Sequence, residues 1–148
     1  MSTTRREVKA PPEEVWSVLS DGWLYAIWVV GAARMRNVDD HWPAVGARLH
    51  HSVGVWPALI DDDTEVLEVD PGRRLKLRGR GWPAGEAAII ITLTPSARGT
   101  VVEIEEDAVK GPGLLVPKLV RTGMLHWRNT ETLRRLGNIV ENRKHRGA

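Results

Sequence analysis

The chain has 148 residues, 21 Lys and Arg against 19 Asp and Glu, 42% hydrophobic residues and no cysteine. A chain of this length buries roughly 70% of the surface its unfolded form exposes, enough for one core without disulfide or metal staples, so one domain spanning 1–148 is expected. The missing cysteines exclude a disulfide scaffold, a thiolate zinc site, an iron–sulfur cluster and a cysteine nucleophile.

Residues 3–9 alternate as a first strand. The stretch Ala10-Pro-Pro-Glu-Glu-Val-Trp to Gly22 then reads as a helix, with proline where the first turn needs no donor, Glu13 and Glu14 at the positive end, and Gly22 as the stop. Val15, Val18 and Leu19 form its docking face, and a second short helix or turn follows through Trp23–Trp28. From Ala33 to Asp107 the period is strand-like, with six strands expected at 33–38, 46–56, 64–69, 74–81, 86–94 and 100–107. Successive strands at hairpin spacing pair antiparallel. Asp61-Asp62-Asp63 reads as a solvated turn, and Gly79-Arg-Gly81 as a bulge or bend. After Gly111-Pro-Gly113 a long helix runs to about Asn142, with Pro117 in its first turn and a flexible basic tail over 143–148. The fold class is therefore α+β: a curved seven-stranded antiparallel sheet wrapped around a long C-terminal helix, with two short helices after the first strand. One helix does not fill so wide a concave face, which leaves room for a cavity.

This element order, together with Ala10-Pro-Pro-Glu-Glu-Val-Trp16 after the first strand and Trp28-Val-Val-Gly31 entering the second, resembles the START-like (SRPBCC) superfamily, in its branch of polyketide cyclases/dehydrases and lipid-transport proteins. The resemblance covers nearly the whole chain and implies a helix-grip fold with a deep hydrophobic pocket. Members of that superfamily include aromatases and cyclases, lipid and quinone carriers, and hormone binders, so fold alone does not choose among them. No catalytic residue is carried over, because the polar residues of the cyclases match no motif here.

Along the long helix, Leu115, Leu119, Thr122, His126, Asn129, Leu133, Leu136 and Val140 share one face whose middle third is polar, as where a helix crosses a ligand cavity. The competing rotation turns Leu125, Met124 or Trp127 inward and His126 to solvent. In the third strand, alternation sets Leu49, His51, Val53 and Val55 on one face, with His51 able to bond a ligand carbonyl or act as a general base. His50 and His51 point to opposite faces and do not chelate one ion. In the last strand Glu106 shares the inward face with Val102 and Ile104 and needs a partner, His51, His126 or an arginine. Trp42 and Trp82 read as plugs of the barrel end, and Trp28 and Trp56 as pocket walls.

The resulting expectation is a cytoplasmic protein that binds a small hydrophobic, lipid-like or polycyclic molecule. Its pocket comprises Trp28, Met35, His51, Val53, Trp56, Leu125, His126 and Asn129, with no cofactor, no metal and no membrane insertion. The alternative is a lyase or isomerase of cyclase/dehydratase type using His51 or Glu106 as acid or base. Charge suggests a third reading: residues before 117 carry 13 basic and 17 acidic side chains, and the rest 8 and 2. That basic helix, with Arg134, Arg135 and the Arg143–Arg146 run, is a possible nucleic-acid surface, although a solvated helix face is the preferred explanation. Monomer and homodimer both remain open.

Overall fold

A computed structural model describes residues 2–29, 32–53, 60–81, 85–110 and 117–146. Seven strands, β1 (Ser2–Val8), β2 (Ala32–Val38), β3 (Arg48–Val53), β4 (Ile60–Asp70), β5 (Arg74–Gly81), β6 (Gly85–Ser96) and β7 (Gly99–Lys110), form one antiparallel curved sheet in the order β1-β7-β6-β5-β4-β3-β2. The first two strands thus lie at opposite edges. The chain crosses between them through helix α1 (Pro12–Leu19), a 3₁₀ turn (Gly22–Leu24) and the one-turn helix α2 (Tyr25–Trp28), and ends in the long helix α3 (Lys118–Arg146).

The expected α+β helix-grip arrangement is present, and most strand bounds fall close to expectation. Three readings change. Asp61–Asp63 belong to β4, where they pair with Ser52, His51 and His50, so the triplet is a strand and not a turn. Cations line the end of this stretch across the ladder, since Arg48 on β3 lies 3.5 Å from both Asp63 and Glu65, and Arg78 on β5 lies 2.6 Å from Glu65. The Gly79–Gly81 stretch pairs in unbroken register with β6, and register shifts fall instead in β4 between Val66 and Glu68 and in β6 between Glu86 and Ala87. Finally, α3 runs through Gly123 and on to Arg146, beyond the expected end, while Gly111-Pro-Gly113 lies outside the described residues.

Alternation builds the inner face. Thr4, Ile104, Ile91 and Leu75 follow one another across β1, β7, β6 and β5, and Glu106, Ile89, Leu77 and Val66 form the next row from β7 to β4. Against these rows α3 buries Leu133, Leu136 and Val140, each contributing at most about 1.5–3 kcal/mol by removal from water. It lies chiefly over β1, where Gly137 admits the Arg6 side chain beneath it.

Helix α1 starts as expected, with Pro11 at its cap, Pro12 in the first position and Glu13 and Glu14 in its first turn. It stops at Leu19, earlier than Gly22. The Trp42 indole donates to the Leu19 carbonyl at 3.2 Å, which satisfies an orphan acceptor of the helix end. Gly22 has a different task, because a β-carbon there would sit 2.5 Å from Leu49 Cδ2 and 2.8 Å from Val38 Cγ1. Leu49 is fully buried and has nowhere to retreat. Gly22→Ala is expected to lower stability by about 1–3 kcal/mol through overpacking, read as a fall in the urea midpoint at constant slope. An unchanged midpoint would refute this close packing.

Candidate functional site

Polar side chains are buried where the two short helices and α3 meet the concave face. His51 on β3 is buried, and its Nε2 lies 2.8 Å from the Thr64 hydroxyl on β4. The Tyr25 ring from α2 stacks on the His51 imidazole, with centroids 5.5 Å apart and planes 27° apart. Trp28, one turn along, meets Tyr25 edge-on at 5.4 Å and 71°. Burial pushes the Tyr25 phenol above its usual range, although its hydrogen bond with Thr64 and the nearby Arg128 charge pull the other way. A hydroxyl held neutral in this position serves Thr64, and through it His51, as part of one network.

Beside this aromatic stack, Glu106 of β7 is almost completely buried and is paired with the Arg128 guanidinium of α3. Burial disfavours the arginine charge, but the Glu106 carboxylate outweighs it and holds Arg128 above its ordinary range. The arginine expected as a possible partner of Glu106 is therefore Arg128. Of the two acid/base candidates, Glu106 is engaged by the Arg128 guanidinium and His51 by the Thr64 hydroxyl.

On α3 the buried polar residues are Asn129 and Thr132, followed by Leu133, Leu136 and Val140. The Asn129 Nδ2 and the Trp28 Nε1 are both buried and find no hydrogen-bond partner among the described residues. These two N–H donors sit on α2 and α3, which pack against one another. An unmade hydrogen bond in such a place costs about 1–3 kcal/mol, so each donor favours a ligand oxygen that supplies the missing acceptor.

The other expected wall residues are distributed unevenly. Met35, paired with His51 across the β2–β3 ladder, packs partly buried against the core, and Leu125 is half-buried. His126 stands exposed, with its Nδ1 3.2 Å from the Thr4 hydroxyl. Leu119 faces outward, as do Met124 and Trp127, so the expected α3 stripe is internal only from Asn129 onward. At this end of α3 the side chains that reach the sheet are polar, since His126 meets Thr4 of β1 and Arg128 meets Glu106 of β7. The Val53 side chain, Trp56 and Trp82 lie outside the described residues.

Sequence reasoning missed Tyr25, Thr64, Arg128 and Thr132. Tyr25 carried a signal, being the single tyrosine of the chain. Thr64 opens the expected strand 64–69 and shares the inner face with Val66, a signal that alternation carried.

Two other groupings have less to offer. An open surface cleft of about 400 Å³ runs between α1 and the β2–β3 turn, with Asp21, Asp39 and Asp40 on its wall. Its Asp39 is already engaged by His50 at 2.9 Å and by the Arg48 amide, which together hold its carboxyl below the usual range. Among the described residues no three His, Asp or Glu side chains gather as a metal site. On the basic helix, Arg134 and Arg135 both bond Glu131, at 2.7 and 3.1 Å, which draws that carboxyl down to about 2 and leaves less cationic charge for an external polyanion.

Comparison with known proteins agrees with this architecture. A family model described as polyketide cyclase/dehydrase and lipid transport matches residues 2–141. Among solved structures, protein NE0264 from Nitrosomonas europaea is similar at 21% identity and a TM-score of 0.75, with 97% of this chain and 95% of that one covered. Protein MLL2253 from Mesorhizobium loti is similar at 23% identity and a TM-score of 0.70, with 95% and 96% covered. The di-domain ARO/CYC StfQ of the steffimycin biosynthetic pathway is similar at 12% identity and a TM-score of 0.73, over 97% of this chain and 51% of its own length. At these identities the likeness shows the fold alone. No curated protein matches the chain.

Two outcomes are expected from the buried network. Because the chain has one tyrosine, the phenolate absorbance reports Tyr25 alone, and its midpoint is expected above 10. The unfolded chain releases that proton first, so the Tyr25 contribution to stability holds below about pH 10 and is lost as pH rises through the folded value. A midpoint at or below the ordinary value would contradict the buried placement. Arg128→Met strands the Glu106 charge and is expected to cost about 2–3 kcal/mol, somewhat less than for a fully buried pair because the guanidinium is 36% exposed. Adding Glu106→Gln should restore most of that loss in chemical denaturation; a double variant no more stable than the single one would argue against the pairing.

Proposed function

We propose that this chain, which belongs to the polyketide cyclase/dehydrase and lipid-transport family, binds a small hydrophobic molecule bearing at least one acceptor oxygen between the sheet and α3, for carriage or sensing. The observation that carries this reading is the pair of buried donors, Trp28 Nε1 and Asn129 Nδ2, that find no acceptor among the described residues. A lipid-like or polyketide-like ligand suits them, with its hydrocarbon body against Trp28, Met35 and Leu125 and a carbonyl or hydroxyl oxygen accepting from the donors. The ring face of the Tyr25–His51 stack gives the same site an affinity for flat, cyclic ligands.

A second reading, proton transfer of the cyclase or dehydratase kind, is favoured by one observation. The buried His51 is oriented by Thr64 through Nε2, as a general base must be oriented, while Tyr25 lies against its ring. Glu106, committed to Arg128, takes the supporting role of fixing local charge.

The direct test is native mass spectrometry of the full chain purified from its host, followed by solvent extraction and identification of the adduct. A one-to-one hydrophobic adduct is expected, and Asn129→Leu and Trp28→Phe should each weaken its retention by about tenfold, one hydrogen bond's worth. His51→Ala separates the two readings: carriage survives it, whereas turnover of the extracted compound does not. If the protein carries no adduct and binds none of a panel of fatty acids, quinones and polycyclic phenols, the pocket reading fails.

A further inference from the structure

The first three turns of α3 present a surface that the internal site does not use. Of the seven large apolar side chains that stand more than half exposed among the described residues, four fall within nine positions: Leu119 at 90%, Val120 at 53%, Met124 at 64% and Trp127 at 71%. Val120, Met124 and Trp127 follow steps of four and three, so they form one stripe along the helix, with Leu119 on its flank. The stripe ends where Glu131, paired with Arg134 and Arg135, begins a charged stretch. Beside it, α2 exposes Ile27 and packs against α3. A contiguous apolar patch of this kind on a small protein marks an interaction surface.

Charge identifies the occupant. Between Asp107 and Glu131 the chain has no acidic residue, and it has Lys110, Lys118, Arg121 and Arg128, the last of them paired with Glu106. Apolar residues, a tryptophan and cations on one helical segment are the combination that lies in the interface of an anionic bilayer, with the apolar face among the acyl chains and the cations near the lipid phosphates. A second copy of the chain fits poorly, because a two-fold contact would set these cations against themselves. Nucleic acid matches the cations but offers nothing to an aliphatic stripe of valine, leucine and methionine. We infer that the N-terminal half of α3 docks this protein, peripherally and reversibly, on an anionic lipid surface. No helix among the described residues is long and apolar enough to cross a membrane, so the helix would lie along the surface and not span it. This inference stands on the surface of α3 and not on the internal ligand.

Co-sedimentation of the full chain with phosphatidylglycerol vesicles, phosphatidylcholine vesicles, or no lipid tests it. The protein is expected to pellet with phosphatidylglycerol, far less with phosphatidylcholine, and to be released as salt is raised. Lys118→Ala and Arg121→Ala should each weaken the binding by about fivefold, and Val120→Glu with Met124→Glu by about tenfold or more. Those two positions are exposed, so thermal melting should not move; if it does, Val120→Ser with Met124→Ser carries the same test. Absence of binding to phosphatidylglycerol at low salt, or equal binding by the stripe variant, overturns the inference. So does a dimer by light scattering that the stripe variant dissociates, or binding to a DNA duplex tighter than to the vesicles.

Discussion

A single helix has to close the concave face of seven strands, and that mismatch in width governs the rest of the molecule. The α3 side chains from Leu133 to Val140 pack directly on the inner rows of the sheet and exclude water there. Nearer its start, α3 also packs against α2, and the residues it buries change from leucine and valine to asparagine and threonine, with the half-buried Arg128 reaching Glu106 of β7. An interior that side chains filled completely would have no use for those polar groups, since each is costly to bury without a partner. Their presence coincides with the place where α2, in the chain's crossing from β1 to β2, packs on the long helix.

Satisfying that polar region takes groups from four elements. Glu106 and Arg128 neutralise each other across β7 and α3, and His51, Thr64 and Tyr25 share hydrogen bonds and ring contacts across β3, β4 and α2. Such networks are rigid when complete, because removing one member leaves another without its partner in a low-dielectric setting. Two donors, on Trp28 and Asn129, remain outside the network. On the proposed reading these donors belong to a site organised ahead of its ligand, in which the protein would bear the ordering cost during folding and not at binding.

The same helix divides by function along its length. Its C-terminal half packs on the sheet, its middle faces the buried cluster, and its first turns expose apolar side chains in a stretch of sequence that is also basic. A surface that meets lipid and an interior that accepts a hydrophobic molecule would be joined by one rigid rod, so a change at one end has a direct mechanical route to the other. Coupling of this kind needs two states of the helix, and the α2–α3 contact is where a second packing would have to form.

Much of the architecture was legible in residue order. Period-two alternation identified the strands and put His51 and Glu106 on the inner face, and proline and acidic residues at the start of α1 set its beginning, because these signals depend only on local geometry. The Asp61–Asp63 triplet was misread for the opposite reason: local repulsion argues for a solvated turn, but backbone pairing with β3, whose Arg48 also approaches Asp63, makes a strand of it. Which half of α3 faces inward was likewise beyond periodicity. A helical stripe specifies a direction around the axis but not how far along that axis the sheet extends, so Leu119 and Leu133 look equivalent in sequence while one is exposed and the other buried. The order of elements, the inward strand residues and the charge division along the chain are carried by neighbours a few positions apart and so can be read from residue order. That Arg128 serves Glu106, that Tyr25 covers His51, and that Trp28 Nε1 and Asn129 Nδ2 find no partner among the described residues emerges from the fold, because each depends on atoms brought together from distant parts of the chain and on the water they exclude.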